Sequence, residues 1–227
     1  MNHITQEDAL SAGVPKRYIP GKPFSDMHFT HDQSSRSITG YYDTIPLSVT
    51  RDKTNLFLFG VSGTGKSEVC SILAKKTLSF GLNSAMFRIQ DFIEARSRNI
   101  PDGQHSLYSW VISLDLFILD QIEQARYFPD TLNAAMEYRW NNEKPTVLSM
   151  GIQNRWKTRE NVKNVYEAAL EEVLQKMEKP MGMSWPSRVF GSFDKVFTGY
   201  TMWRKPVRKA IKVEEPTPQI EADDDEG

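Results

Sequence analysis

Eight residues, Gly60-Val61-Ser62-Gly63-Thr64-Gly65-Lys66-Ser67, have the G-x-x-x-x-G-K-[ST] spacing of a loop that binds nucleotide phosphates. Each residue type has a task in that chemistry. Glycines 63 and 65 lack a Cβ, so the backbone can curl and aim its N–H groups at phosphate oxygens. Lys66 reaches the β- and γ-phosphates as a point charge, and the Ser67 hydroxyl is placed to coordinate Mg2+. The predicted nucleotide-binding set is Gly60, Val61, Ser62, Gly63, Thr64, Gly65, Lys66, Ser67 and Glu68. A carboxylate belongs to the same chemistry. The apolar run Leu116-Phe117-Ile118-Leu119 ends in Asp120, as a buried strand does when it delivers an acid beside the phosphate loop to hold a magnesium-bound water. Such a run is common alone, but about 50 residues after a phosphate loop it gains meaning. Ser67 and Asp120 are therefore the predicted metal ligands.

These side chains need a strand, a turn and a helix to hold them. Asn55 to Phe59 reads as a buried strand, and Glu68 to Phe80 as a helix with Val69, Ile72, Leu73 and Lys76 at helical spacing. That helix would add its positive dipole end to the phosphate site. Further strands are expected at Ser84 to Ile89, Leu114 to Leu119 and Pro145 to Met150, with a last one at Ser192 to Thr198. Between them the pattern predicts a helix Phe92 to Arg98 capped by Asp91, a loop Asn99 to Ser109, a helix Pro129 to Glu143 and a long helix Thr158 to Met177. Upstream, Thr5 to Leu10 reads as a short capped helix. Ala12 to Phe24 is rich in Pro and Gly and reads as extended, either lying over the nucleotide with Tyr18 or Ile19 near the base or serving as a packing strap. His28 and His31, flanked by Asp26 and Asp32, have no further Cys or His cluster to make a metal site.

Composition sets the outer bounds. A chain of 227 residues suits one substantial domain with appendages, and 39% hydrophobic content is enough for a core. No apolar run approaches the ~18 residues of a membrane span, and Met1 to Asp8 lacks a basic-then-apolar leader pattern. Cys70, the single cysteine, has no partner for an internal disulfide, so a cytoplasmic protein is expected. The net charge of −1 hides an asymmetry. Glu214 to Gly227 holds seven acids and no base, which leaves −1 + 7 = +6 for the rest. Just before it, Arg204 to Lys212 is a basic run. The expected division is an arm and lead-in at 1–54, a nucleotide-binding core at 55–205, and a basic then acidic disordered tail at 206–227.

Strand, phosphate loop, helix and an acid-ended strand describe an α/β P-loop NTPase with a parallel sheet and flanking helices. More specifically, residues 12 to 205 resemble the AAA+ ATPases of the bacterial helicase-loader group, the DnaC/IstB-like family. Gly13-Val14-Pro15-Lys16-Arg17-Tyr18 is similar to that family's lead-in, Asn55 to Lys75 to its loop strand and helix, and Asp115 to Ile122 to its acid-ended strand. Glu137 to Leu148 resembles its next helix and sensor strand, Ser187-Arg188-Val189 its arginine-finger box, and Trp203-Arg204 its second sensor. The resemblance implies ATP and Mg2+ binding, self-assembly into a homo-oligomer, single-stranded DNA binding and a role in DNA replication with a replicative helicase as partner. It implies Arg188 as the arginine that reaches a neighbour's γ-phosphate and Arg204 as a contact to the chain's own nucleotide. The catalytic candidates are then Lys66, Asp120, Gln121 and Arg188, and the DNA-binding candidates Arg96, Arg98, Lys205, Arg208 and Lys209.

Three departures bear on turnover. The family places Glu directly after the strand-end Asp, where this chain has Gln121, and an amide orients water but accepts a proton poorly. Glu123, two residues on, is expected to point elsewhere. The sensor position falls near Met150-Gly151, with Gln153 and Asn154 slightly later. The N-terminal region is also short for a loader with a separate helicase-binding domain. ATP binding is thus expected and hydrolysis is left open. The alternatives are a non-hydrolysing ATP-gated scaffold and a transposition-regulator ATPase that binds duplex DNA. A small-molecule kinase is disfavoured because no arginine-rich lid motif stands out.

Overall fold

The computed structural model describes residues 3–19, 23–27, 32–97, 107–153, 165–181 and 184–198. Five strands form one sheet: β1 (Asn55–Val61), β2 (Ser84–Arg88), β3 (Leu116–Asp120), β4 (Thr146–Ile152) and β5 (Phe193–Phe197). Their order is β2-β3-β4-β1-β5 and every pairing is parallel. A parallel sheet is covered on both faces, which is why its strands read as nearly unbroken apolar runs. The two-residue alternation sorts those runs into two cores. Leu56, Leu58, Leu116, Ile118 and Val147 face one layer, while Phe57, Phe59, Phe117, Leu119, Leu148 and Met150 face the other.

The first layer consists of α1 (Gln6–Ser11), α2 (Asp32–Asp43), α3 (Leu47–Thr50) and α4 (Lys66–Ser79). Thr5 and Asp8 close a capping box on α1: the Asp8 amide donates to Thr5 Oγ1 at 3.1 Å and the Thr5 amide to Asp8 Oδ2 at 2.9 Å. Ala9, Ile38, Tyr41 and Val49 are buried against the same sheet face as Val69 and Leu73 of α4. The second layer holds α5 (Ile89–Ser97), α6 (Leu107–Ser113), α7 (Asp130–Asn141), α8 (Val165–Met181) and α9 (Ser184–Ser192). Phe92, Val111, Leu132, Ala135, Val173 and Val189 bury its inner face.

The strands and the helices after β1, β3 and β4 lie where the sequence pattern puts them, with some corrections. Helix α5 starts at Ile89, so Asp91 sits in its first turn and pairs with Arg88 at 2.7 Å instead of capping. Residues 107–109, expected in a loop, begin α6. The lead-in expected to be extended makes two single 3-10 turns, Lys16–Tyr18 and Phe24–Asp26. Residues 158–164 of the expected long helix, His28, His31 and the whole basic and acidic tail lie outside the described residues. Among the described residues no group of three metal-binding side chains occurs, and no helix is long and apolar enough to cross a membrane.

The chain leaves β1, passes β4 and β3, and reaches the sheet edge at β2 before returning. The order therefore reverses beside β1, and the crevice of an open α/β sheet lies at the carboxyl ends of its strands at such a point. Gly60 near the end of β1 is in register with Gly151 near the end of β4, and Asp120 ends β3.

Candidate functional site

The phosphate loop has the backbone that its glycines permit. Gly63 and Gly65 take φ of 84° and 85°, in the left-handed region that a side chain disfavours. Gly65 is also the N-cap residue of α4, so the helix begins at the loop and aims its first amides and dipole there. Thr64 is buried and turned inward. Its Oγ1 donates to the Val61 carbonyl at 2.8 Å and shares a 2.7 Å hydrogen bond with the Thr198 hydroxyl. Thr198 in turn donates its amide to the Phe59 carbonyl at 2.8 Å, which ties the loop to the end of β5. Thr64 thus offers a ligand its backbone rather than its side chain.

Lys66 is buried under the loop, and its Nζ donates to the carbonyls of Gly60 and Val61, both at 2.9 Å. Burial lowers its pKa, and the carboxylates of Glu123 and Asp120 act in the opposite direction. Asp120 is 1% exposed. One oxygen, Oδ1, accepts a short hydrogen bond from Ser149 Oγ on the neighbouring β4. The other, Oδ2, is buried with no hydrogen-bond partner. A buried carboxylate oxygen without a donor is costly unless something positive meets it. The loop amides, Lys66, the Ser67 hydroxyl and this free oxygen form a donor and acceptor set suited to a triphosphate and a hard cation.

After Asp120 the chain turns sharply. Gln121 takes φ 60° and ψ 43° and caps a 3-10 turn, Ile122–Gln124. Its amide donates to Ser149 Oγ at 3.2 Å. A left-handed non-glycine residue is uncommon and stores strain of about 1–3 kcal/mol, typically at functional sites. The turn corrects the expectation for Glu123. An extended chain would carry that residue about 10 Å past the strand end at ~3.3 Å per residue. Instead it folds back, and Glu123 lines the same cavity of about 380 Å3 as Lys66, Ser67 and Gln121. Burial raises the Glu123 carboxyl above its ordinary value, against the facing amides of Gly151 and Glu123 itself and the Lys66 ammonium. Gly151 makes the approach possible, since a Cβ there would sit 2.5 Å from Glu123 Oε1. The Gly151 carbonyl accepts from Lys176 at 3.2 Å, and Lys176 pairs with Glu172 at 3.0 Å, so α8 braces the end of β4.

The lead-in closes another wall of the cavity. Arg17 and Tyr18 line it, and Arg17 lies over the Tyr18 ring at 4.7 Å. Tyr18 is buried and its carbonyl accepts from Lys75 at 2.9 Å, which fastens the segment to α4. The segment is thus a strap on α4 that also lines the cavity. Gly63, Gly65, Lys66, Ser67, Glu68 and Gln121 all come together at the cavity. Arg188 does not, among the described residues. It lies on α9, 3.4 Å from Glu137 and over the Trp140 ring at 5.2 Å. Gln153 follows β4 and its amide donates to Glu172. Arg96 falls on α5 with its side chain outside the described set, and Asn154, Arg98, Arg204, Lys205, Arg208 and Lys209 lie outside the described residues. Sequence reasoning missed Glu123 and Arg17. The signal for Glu123 was an acid within one turn of a strand end where the expected acid is missing.

Neither a protein-family model nor a curated protein sequence matches the chain. Solved structures do. The DnaC helicase loader superposes with a TM-score of 0.59 at 16% identity, over 81% of this chain and 99% of that one. A primosome component described as putative, from Streptococcus pyogenes serotype M3, does so with 0.56 at 18% identity, over 88% and 100%. The replication initiator DnaA, in a structure with AMPPCP and single-stranded DNA, gives 0.56 at 14% identity over 76% of this chain, which spans 48% of the DnaA chain.

Proposed function

The chain has the P-loop AAA+ fold of the helicase loaders, and from that premise we propose that it is an ATP-binding, replication-related protein that assembles with its own copies on single-stranded DNA. The observation that carries the reading is a buried Lys66 held under the loop by two loop carbonyls, with the charge of Asp120 acting on it, while the buried Oδ2 of Asp120 has no hydrogen-bond partner. In this reading the loop amides and Lys66 hold the β- and γ-phosphates. Lys66 exchanges its two loop carbonyls for phosphate oxygens, which are stronger acceptors. Ser67 and Asp120 hold Mg2+, which when bound neutralises the phosphate charge. Arg17 and Tyr18 border the same cavity, and in this reading they lie beside the base.

Titration with a fluorescent ATP analogue tests this reading. A charge-assisted hydrogen bond is worth about 1.5–3 kcal/mol, so Lys66→Ala is expected to weaken affinity about ten- to hundredfold. Wild-type protein with no affinity for ATP would sink the reading. Arg188 is proposed as the arginine offered to a neighbouring copy, Arg204 as a contact to the chain's own nucleotide, and Arg96, Arg98, Lys205, Arg208 and Lys209 as DNA contacts. What supports the first is a guanidinium braced by Glu137 and Trp140 at the surface rather than buried in this chain's own site. Gln121 favours a second reading, an ATP-gated scaffold that does not turn over. Phosphate release by the wild type separates the two, and steady turnover removes the scaffold.

A further inference from the structure

A carboxylate is missing from position 121, directly after Asp120, and present two residues further on at Glu123, which lines the same cavity as Lys66. We propose that Glu123 takes the water-activating role that Gln121 cannot fill. The assignment rests on the ATP-binding reading above and goes beyond it, because it names the residue that makes the site hydrolytic.

Three observations carry it. First, the left-handed Gln121 and the 3-10 turn it caps return Glu123 to the strand ends, on the cavity wall with Lys66. Second, Gly151 clears the way. Its missing Cβ would lie 2.5 Å from Glu123 Oε1 and 3.0 Å from Cδ. Gly151 is in register with Gly60, whose carbonyl is one of the two that hold Lys66. The two departures from the family pattern, Gln121 and a glycine at the sensor strand's end, are therefore one arrangement: the first removes a carboxylate and the second makes room for its substitute. Third, Glu123 Oε2 is buried and has no hydrogen-bond partner, so it retains an acceptor for a water. Among the described residues no cation is paired with Glu123 as closely as a structural salt bridge requires, although the Lys66 charge acts on it.

The step balances without further reactants. Water oxygen forms a bond to the γ-phosphorus as the bond to the β-bridging oxygen breaks. The water proton passes to the Glu123 carboxylate and later to solvent, and ADP and phosphate leave. A positioned base contributes about 10²–10⁴ in rate.

Glu123→Gln tests the assignment, with ATP-analogue affinity and thermal melting measured beside phosphate release. The expected result is a turnover loss of about a hundredfold or more with affinity within about threefold of wild type. Gly151→Ala pushes the unaltered carboxylate aside and is expected to lower turnover in the same way. Adding Gln121→Glu to Glu123→Gln puts a carboxylate back at the strand end and is expected to recover turnover at least about tenfold. Glu123→Gln turning over like wild type, or losing ATP affinity as strongly as Lys66→Ala does, overturns the assignment and leaves the ATP-binding reading intact. Wild type that binds ATP without releasing phosphate also overturns it. Wild type that binds no ATP instead sinks the underlying reading.

Discussion

At half-buried Glu123 burial outweighs the neighbouring amides and Lys66, so its carboxyl is raised in the folded state. The sign of the linked stability follows. A carboxyl with a raised folded pKa binds its proton more readily folded than unfolded, so the fold loses stability as pH rises through that range. Glu123→Gln removes this cost. The variant is expected to melt above wild type at neutral pH. The gain should vanish below the ordinary value of 4.5, where both states are protonated. A melting scan across pH with both proteins, in the presence of the Lys66 and Asp120 charges that face the group, checks this. Arg139 shows the opposite economy. It is fully buried, and burial lowers its pKa to about 9 against the pull of Asp115. Its fork donates to the carbonyls of Val111 and Leu114, both at 2.9 Å, to Thr146 Oγ1 at 3.1 Å and to Pro145 in a short bond. That one side chain joins the ends of α6 and β4. A lysine cannot match the planar fork, so Arg139→Lys is expected to cost about 2–4 kcal/mol in denaturant unfolding. In the sequence Arg139 falls at the helical spacing of the apolar residues Leu132, Ala135 and Met136, and nothing local announces that carbonyls wait for it.

Elements were legible where their pattern is self-sufficient and obscure where tertiary contact makes them. The thirteen-residue span from 55 to 67 contains strand, turn and helix start in one signal, and it folded as read. Helix α2 carries Ser34, Ser35, Thr39 and Gly40, all poor helix formers, and is held by packing of Ile38 and Tyr41. Helix α6, Leu-Tyr-Ser-Trp-Val-Ile-Ser, is rich in aromatic and β-branched residues that suggest a strand. Helix α9 admits Pro186 because it falls in the first turn, where no helical N–H is needed. The segment after α1 shows how tightly an unassuming stretch can be specified. The Met86 amide donates to the Ala12 carbonyl at 2.8 Å, so this segment covers part of the edge strand β2. Gly13 beside it has φ 77°, and a Cβ would meet the Met86 carbonyl oxygen at 2.1 Å. Backbone cannot step aside as a flexible side chain can. Gly13→Ala is therefore expected to destabilise by roughly 2–4 kcal/mol in the same unfolding experiment.

For the whole molecule, continuous apolar runs announced a parallel sheet buried on both faces, and the phosphate loop marked β1, which lies between β4 and β5. The path of residues 9–49 was not legible, since their buried side chains, among them Tyr18, Ile38 and Ile45, find partners only on the assembled sheet face. Charge is the other property of the whole chain. Without the seven acids of residues 214–227 the remainder carries +6. Single-stranded DNA binding, if it follows the basic candidates, should fall steeply with salt. Removing residues 214–227 is expected to raise affinity at low salt, by lifting an internal competitor for the same basic surface. Filter binding of both proteins across a salt series measures this, and an unchanged affinity would dismiss the tail from that role.

The hydroxyl pair of Thr64 and Thr198 joins positions 134 residues apart in the chain. The nucleotide loop is thus finished from the far side, after β5 has docked against β1. A fragment that ends before Phe193 would keep every residue of the motif and still lack the last hydroxyl that shapes it. The motif is written in eight consecutive letters, but as an object it is assembled only when the chain's last described strand arrives.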